Sequence, residues 1–139
     1  MFKPEDDGRT HINVYSKGKT IVGRLLSNFA YTPFRIPFWG SFHSVEGFWY
    51  WMITGDERLR KASGYEAKRL GTTLPALRDH PTKRELRIAY RAKLRYNPEV
   101  RRKLRSSSLP LLHYYVYEGK VVSARKWAWT AELWNEFRV

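Results

Sequence analysis

The chain has 139 residues, 26 Lys+Arg against 13 Asp+Glu for a formal charge of +13, and no cysteine. That length suits one domain, and the missing cysteines exclude a disulfide framework, a Cys-ligated metal centre and a thiol nucleophile. No apolar run approaches the ~18–20 residues of a membrane span and no secretory signal opens the chain, so a soluble cytoplasmic protein with no membrane role is expected.

Residues 1–10 are charged and contain Pro and Gly, which predicts a flexible N-terminal arm ahead of one domain over 11–139. From His11 to Leu26 the pattern is strand-like, with Ile12, Val14, Ile21 and Val22 around a turn at Lys17-Gly18-Lys19. Residues 27–43 carry Pro33, Phe34, Pro37, Phe38 and Trp39 and read as an irregular loop with short extended pieces. The middle is helical. Three Ser/Thr-x-x-Glu strings, Thr54 with Glu57, Ser63 with Glu66 and Thr82 with Glu85, predict capping boxes. Gly71 is expected to end the helix begun at Ser63, and Asn97-Pro98 to end a helix over 83–96 and open the next. A hairpin over Leu111–Tyr117 and Lys120–Val122 turns at Glu118-Gly119. Residues 124–138 then form an amphipathic helix with Trp127, Ala131 and Trp134 on one side. The fold class expected is α+β: mainly helical, with a few short strands and a C-terminal hairpin plus helix.

The surplus of positive charge points to a polyanionic partner, because phosphates are the commonest dense negative charge in a cell. Six Trp, nine Tyr and seven Phe exceed what packing a short chain requires, and a ring-lined cleft suited to stacking a base would use them. Lys83 to Arg105 holds ten Lys/Arg and two Glu, and Arg84, Arg87, Arg91 and Arg95 recur on one helical face. Like charges at those spacings repel, which a bound phosphate backbone would offset; a solvated face accommodates them as well. The opposite face carries Leu86, Tyr90 and Leu94 with Lys93 among them, a lysine that either snorkels to water, the favoured expectation, or is held at a site.

Glu46 lies in Phe42-His43-Ser44-Val45-Glu46-Gly47-Phe48-Trp49-Tyr50-Trp51. With Ser44 as the cap, Glu46 falls in a first helical turn and shares a face with Trp49, Tyr50 and Ile53. A carboxylate among rings loses hydration, which raises its pKa toward the range of general acid–base work. The positive end of a helix also favours a Glu there with no further role. His11, His43, His80 and His113 show no ligand spacing, and no nucleotide-binding or serine-hydrolase motif occurs. No metal or cofactor is expected.

Several segments together resemble one family. They are Leu26-Ser27-Asn28-Phe29 with Pro33-Phe34, Ser44-Val45-Glu46, Glu66-Ala67-Lys68-Arg69-Leu70-Gly71, and Ala92-Lys93-Leu94 leading to Asn97-Pro98-Glu99. In this order, over residues 12–105, they look like the NADAR superfamily, named for association with NAD and ADP-ribose. The resemblance implies a mainly helical α+β domain and N-glycosidase activity. Known members hydrolyse ribosylamino-pyrimidine intermediates of riboflavin synthesis or remove ADP-ribose from guanine in nucleic acid. By position it implies Glu46 as the catalytic acid, with Ser27, Asn28 and Phe29 contacting substrate and Lys68 and Gly71 beside the pocket. Trp51-Met52-Ile53 stands where many members have Gln-Ala-x-Lys, leaving that lysine's role to another such as Lys68 or Lys93. His113-Tyr114-Tyr115-Val116 stands where many carry an acidic-aromatic Trp-Gly motif.

The resulting expectation is hydrolysis of the bond between ADP-ribose or ribose and a nucleobase, with ADP-ribosylated guanine on DNA or RNA favoured as substrate. Glu46 is the catalytic residue; Ser27, Asn28, Phe29, Trp49, Tyr50, Lys68, Gly71 and Lys93 bind substrate; Arg84, Arg87, Arg91 and Arg95 contact phosphate. No obligate protein partner is inferred. A non-catalytic binding module and a hydrolase of small ribosylamino-pyrimidine phosphates are the alternatives.

Overall fold

The computed structural model describes residues 2–139 and is α+β, with short two-stranded sheets set among helices. Among the described residues no helix is long and apolar enough to cross a membrane. Two units are distinguishable within the span expected to be one domain: one runs from Asn28 to Pro98, the other comprises the chain up to Ser27 and from Glu99 to Val139.

The Asn28–Pro98 unit is built around helix α2 (Val45–Thr54), which packs against α3 (Gly64–Thr73), α4 (Lys83–Tyr96) and a 3-10 turn at Glu57–Lys61. Ser44 starts α2 as expected: its hydroxyl accepts from the Gly47 N–H (3.0 Å) and donates to the Ala62 carbonyl (2.9 Å). Gly47 must be glycine, because a Cβ there would sit 2.4 Å from the Leu59 carbonyl oxygen. Before α2, β2 (Phe34–Ile36) and β3 (Gly40–Phe42) form an antiparallel hairpin whose first strand lies on α4. These are the short extended pieces expected of that loop. Phe34, Phe42, Phe48, Met52, Leu59, Leu86 and Leu94 are buried, with the Phe42 and Phe48 rings edge to face at 5.4 Å. Removing such rings from water supplies roughly 2–3 kcal/mol each and dominates the unit's stability.

Of the three expected capping boxes, one forms. Thr82 accepts from the Glu85 N–H (3.1 Å) while Glu85 accepts from the Thr82 N–H (2.9 Å), closing the start of α4. Ser63 precedes α3 without a side-chain cap. Thr54 is instead the last residue of α2, its hydroxyl donating to the Tyr50 carbonyl (2.8 Å), and Asp56 caps the 3-10 turn that follows. The Ser/Thr-x-x-Glu string specifies residue types, and the tertiary position of each helix end decided which could use them. Gly71 does not end α3, which continues to Thr73. At Asn97 the expected break occurs, and α5 (Pro98–Arg105) begins there. The Asn97 amide donates back to the Lys93 carbonyl (2.8 Å) and across to that of Pro33 (3.0 Å).

In the other unit the expected N-terminal arm is tied down. Pro4–Asp6 forms a 3-10 turn, and the buried Asp7 carboxylate accepts from the N–H groups of Asn13 (2.9 Å) and Lys19 (2.8 Å). The strand expected over residues 11–26 is only β1 (Ile12–Asn13); Ile21–Leu26 is the helix α1. Thr20 explains the difference, since its hydroxyl accepts from the Gly23 N–H (2.9 Å) and this cap outweighs the weak strand preference of Ile21 and Val22. The C-terminal hairpin pairs β5 (Tyr114–Tyr117) with β6 (Lys120–Ser123), with Glu118 and Gly119 both at positive φ in the turn. Leu111–Leu112 separates from it as β4, parallel to β1. The expected C-terminal helix is broken into a 3-10 turn, the short helix α6 (Ala128–Glu132) and a second 3-10 turn over Leu133–Phe137.

Candidate active site

Asn28 and Phe29 join the starts of two helices. The Asn28 carbonyl accepts from the Glu46 N–H in the first turn of α2 (2.8 Å), and the Phe29 carbonyl accepts from the Gly64 N–H at the start of α3 (3.0 Å). A third element holds the same dipeptide: the Tyr90 hydroxyl of α4 donates to the Asn28 side-chain oxygen (3.2 Å). The Phe29 ring packs edge to face on Tyr65, one residue into α3 from Gly64, with centroids 5.0 Å apart. Asn28 and Phe29 are therefore neighbours of the Glu46 backbone at the start of α2. Ser27, the other residue of that loop, is buried and closes α1 in the other unit.

The Glu46 side chain keeps some solvent-accessible surface, yet its carboxyl is enclosed enough for burial to push its pKa up to about 7, against the opposing pull of the Lys68 ammonium. Both protonation states are thus populated at neutral pH. Lys68 lies on the exposed side of α3. There it borders an open depression of about 460 Å³, lined also by Tyr65, Glu66, Arg69 and Thr72. The depression extends along α3 from the same Tyr65 that holds Phe29.

Lys93 overturns the snorkelling expectation. It is fully buried in α4, one turn beyond Tyr90, and burial lowers its pKa to about 7. A lysine stem on an apolar face carries its head to water only where the neighbouring elements leave a path, and here β2 and α2 pack on α4.

Trp49, Tyr50 and Gly71 are placed differently from the expected substrate contacts. The Trp49 ring is largely buried and stacks flat on His80, centroids 5.2 Å apart at 7°. Tyr50 sits on Gly71 so closely that a Cβ at residue 71 would lie 2.1 Å from its Cγ. The glycine thus serves the close approach of α2 and α3. Arg84, Arg91 and Arg95 are exposed along α4 and Arg87 is partly so, which leaves this face turned to solvent.

Two residues that hold the Asn28-Phe29 dipeptide escaped the sequence reading, Tyr90 and Tyr65. Tyr90 had a usable signal: a hydroxyl on an otherwise apolar face, three residues before Lys93, needs a buried partner. Nothing local marks Tyr65. Among the described residues no group of His, Asp and Glu is arranged to hold a metal ion.

Compared with known proteins, the chain finds no match: no family model, no curated protein and no solved structure.

Proposed function

We propose that the protein is an N-glycosidase that hydrolyses the bond between ADP-ribose and a nucleobase, with ADP-ribosylated guanine in nucleic acid as substrate. The observation that carries this reading is the Glu46 carboxyl, poised to titrate near neutrality beside the Asn28-Phe29 loop. The resemblance to the NADAR superfamily over the same residues, and the basic exposed face of α4, add support.

Cleaving a ribose–nitrogen bond leaves the bonding electron pair on the base and develops oxocarbenium character on the sugar. Protonated Glu46 donates its proton to the departing nitrogen. The resulting carboxylate then stabilises the sugar cation and takes a proton from the water that adds to the anomeric carbon, which restores the acid. One group does both because its pKa lies near 7. The Asn28-Phe29 dipeptide is fixed by three elements and presents its loop to the sugar, Phe29 with Tyr65 supplies ring faces, and Lys68 offers charge to the diphosphate.

The test is release of ADP-ribose from DNA carrying ADP-ribosylated guanine, wild type against Glu46→Gln. Release by wild type, reduced ~10²–10⁴-fold in the variant with its circular dichroism unchanged, is the expected outcome. No release with DNA binding retained in both proteins would reassign the chain as a binding module. Turnover of ribosylamino-pyrimidine phosphates alone would assign it the small substrates.

A further inference from the structure

The turn between β2 and β3 carries a feature that the fold does not need. Phe38 is wholly exposed, at 106% relative accessibility, and it adopts the left-handed conformation with φ of 71°. A bulky ring gains nothing there by burial, and glycine would occupy the position without strain. The stem below is firmly seated. Phe34, Ile36 and Phe42 are buried, and the Trp39 N–H closes the turn on the Ile36 carbonyl (3.1 Å). Trp39 lies against Phe48 of α2 with centroids 5.7 Å apart.

The same hairpin carries cationic side chains. Arg35 is exposed on β2 opposite Ser41. Arg60, at the base of the hairpin, lies over the Phe42 and Trp51 rings, ion-pairs with Glu57 (2.9 Å) and donates to the Ser41 carbonyl (3.3 Å), so Arg35 is the cation the hairpin itself turns to solvent. The strand β2 rests on α4, the helix that bears the arginine face. An exposed aromatic ring on a seated hairpin, next to a helix with a basic face, is an arrangement that can hold a nucleic-acid strand by a base and its phosphates together.

We propose that Phe38 is a stacking finger for an unpaired base of a nucleic-acid strand, engaging a nucleotide that flanks the one delivered to Glu46. This rests on the glycosidase reading for the identity of the neighbouring nucleotide, and on the hairpin alone for the stacking. Trp39, the residue after Phe38, meets α2 at Phe48, and Glu46 lies two residues earlier in the same helix. The substrate class is accordingly a single-stranded or locally opened polymer rather than a free nucleotide.

The experiment measures binding of an unmodified single-stranded DNA oligonucleotide containing 2-aminopurine, which needs no catalysis. Phe38→Ala is expected to weaken binding about 5- to 100-fold and to remove the fluorescence quenching that stacking produces, while Phe38→Trp restores both. The slope of affinity against salt stays unchanged, because no cation is lost. Phe38→Gly serves as a second variant that relieves the left-handed strain; it should melt no lower than wild type and still bind weakly. Wild-type affinity in both Phe38→Ala and Phe38→Gly would overturn the proposal. So would a fall in affinity with a shallower salt slope, or retained affinity with a changed oligomeric state. If wild type releases no ADP-ribose yet Phe38→Ala loses oligonucleotide binding, the finger stands and the glycosidase reading falls. If release proceeds and Phe38→Ala leaves both binding and turnover intact, the reading stands and the finger falls.

Discussion

The two faces of α4 spend charge in opposite ways. One face carries Arg84, Arg87, Arg91 and Arg95 toward water, where high dielectric and long flexible stems make the cost of proximity a few tenths of a kcal/mol per pair. The other buries Lys93 completely, three residues beyond the Tyr90 hydroxyl that holds Asn28. There the same unit of charge is costly enough for the ammonium to surrender its proton near pH 7. Solvent access, rather than residue type, separates a solvated cationic surface from a group whose charge state is set by the fold.

Removing the buried charge is the sharpest way to break this comparison. The unfolded chain keeps the Lys93 proton up to about 10.5, whereas the folded protein loses it near 7. Folding therefore releases a proton between those values, and stability from this residue rises with pH across the window. Below pH 7 the full cost stands, on the order of 5 kcal/mol. Lys93→Met should accordingly be more stable than wild type at pH 6, with the advantage shrinking toward pH 10. Urea denaturation at the two pH values measures it, and equal differences at both would show that burial does not set the lysine's charge.

Glu46 should tilt the other way. Its folded pKa of about 7 lies above the ordinary 4.5, so folding takes up a proton between these values and stability falls as pH rises through them. Glu46→Gln, besides losing turnover, should gain on the order of 3 kcal/mol at pH 8 and nothing near pH 4. The two residues together lower stability most around neutrality, where both protonation states of Glu46 are populated.

A smaller change tests what holds both faces in register. Thr82→Ala removes the side-chain half of the box that starts α4 and should cost ~1 kcal/mol, whereas Ser63→Ala, at a start with no such bond, should cost a few tenths. Thermal melts of the two variants distinguish a formed cap from a string of suitable residues.

The exposed face answers least in stability and most in salt. Replacing Arg84, Arg91 and Arg95 together with Gln should leave the melting temperature within a few degrees or raise it slightly, since repulsion is relieved. Affinity for DNA should fall, and the slope of log affinity against log salt should flatten by about 0.9 for each phosphate contact removed. An unchanged slope would mean that these arginines are a solvated face only.

Much of the fold was legible from local chemistry. Ser44 as a cap for α2, the Thr82–Glu85 box, the break at Asn97-Pro98 and the turn at Glu118-Gly119 each depend on neighbours within a few residues, so residue order suffices to specify them. The Glu46 placement followed from the same logic, because a cap sets where the first turn falls. Where the reading failed, either contacts further along the chain or a competing local cap had intervened. Asp7 is held by Asn13 and Lys19, and Ile21–Leu26 is helical under a Thr20 cap that competed with strand-like side chains. Gly71 carries the α2–α3 approach through Tyr50 rather than a helix end.

By itself, then, the sequence determined the charge, the α+β class, most helix starts and the position of Glu46 within its turn. Tertiary structure alone decided that Lys93 would be sealed from water, that Trp49 would stack on His80, and that Tyr90 and Gly64 would fix Asn28 and Phe29 beside Glu46. The physical reason is that caps and turns satisfy backbone groups a few residues away. Desolvation, by contrast, depends on every element packed around a side chain, and no local pattern records which elements those will be.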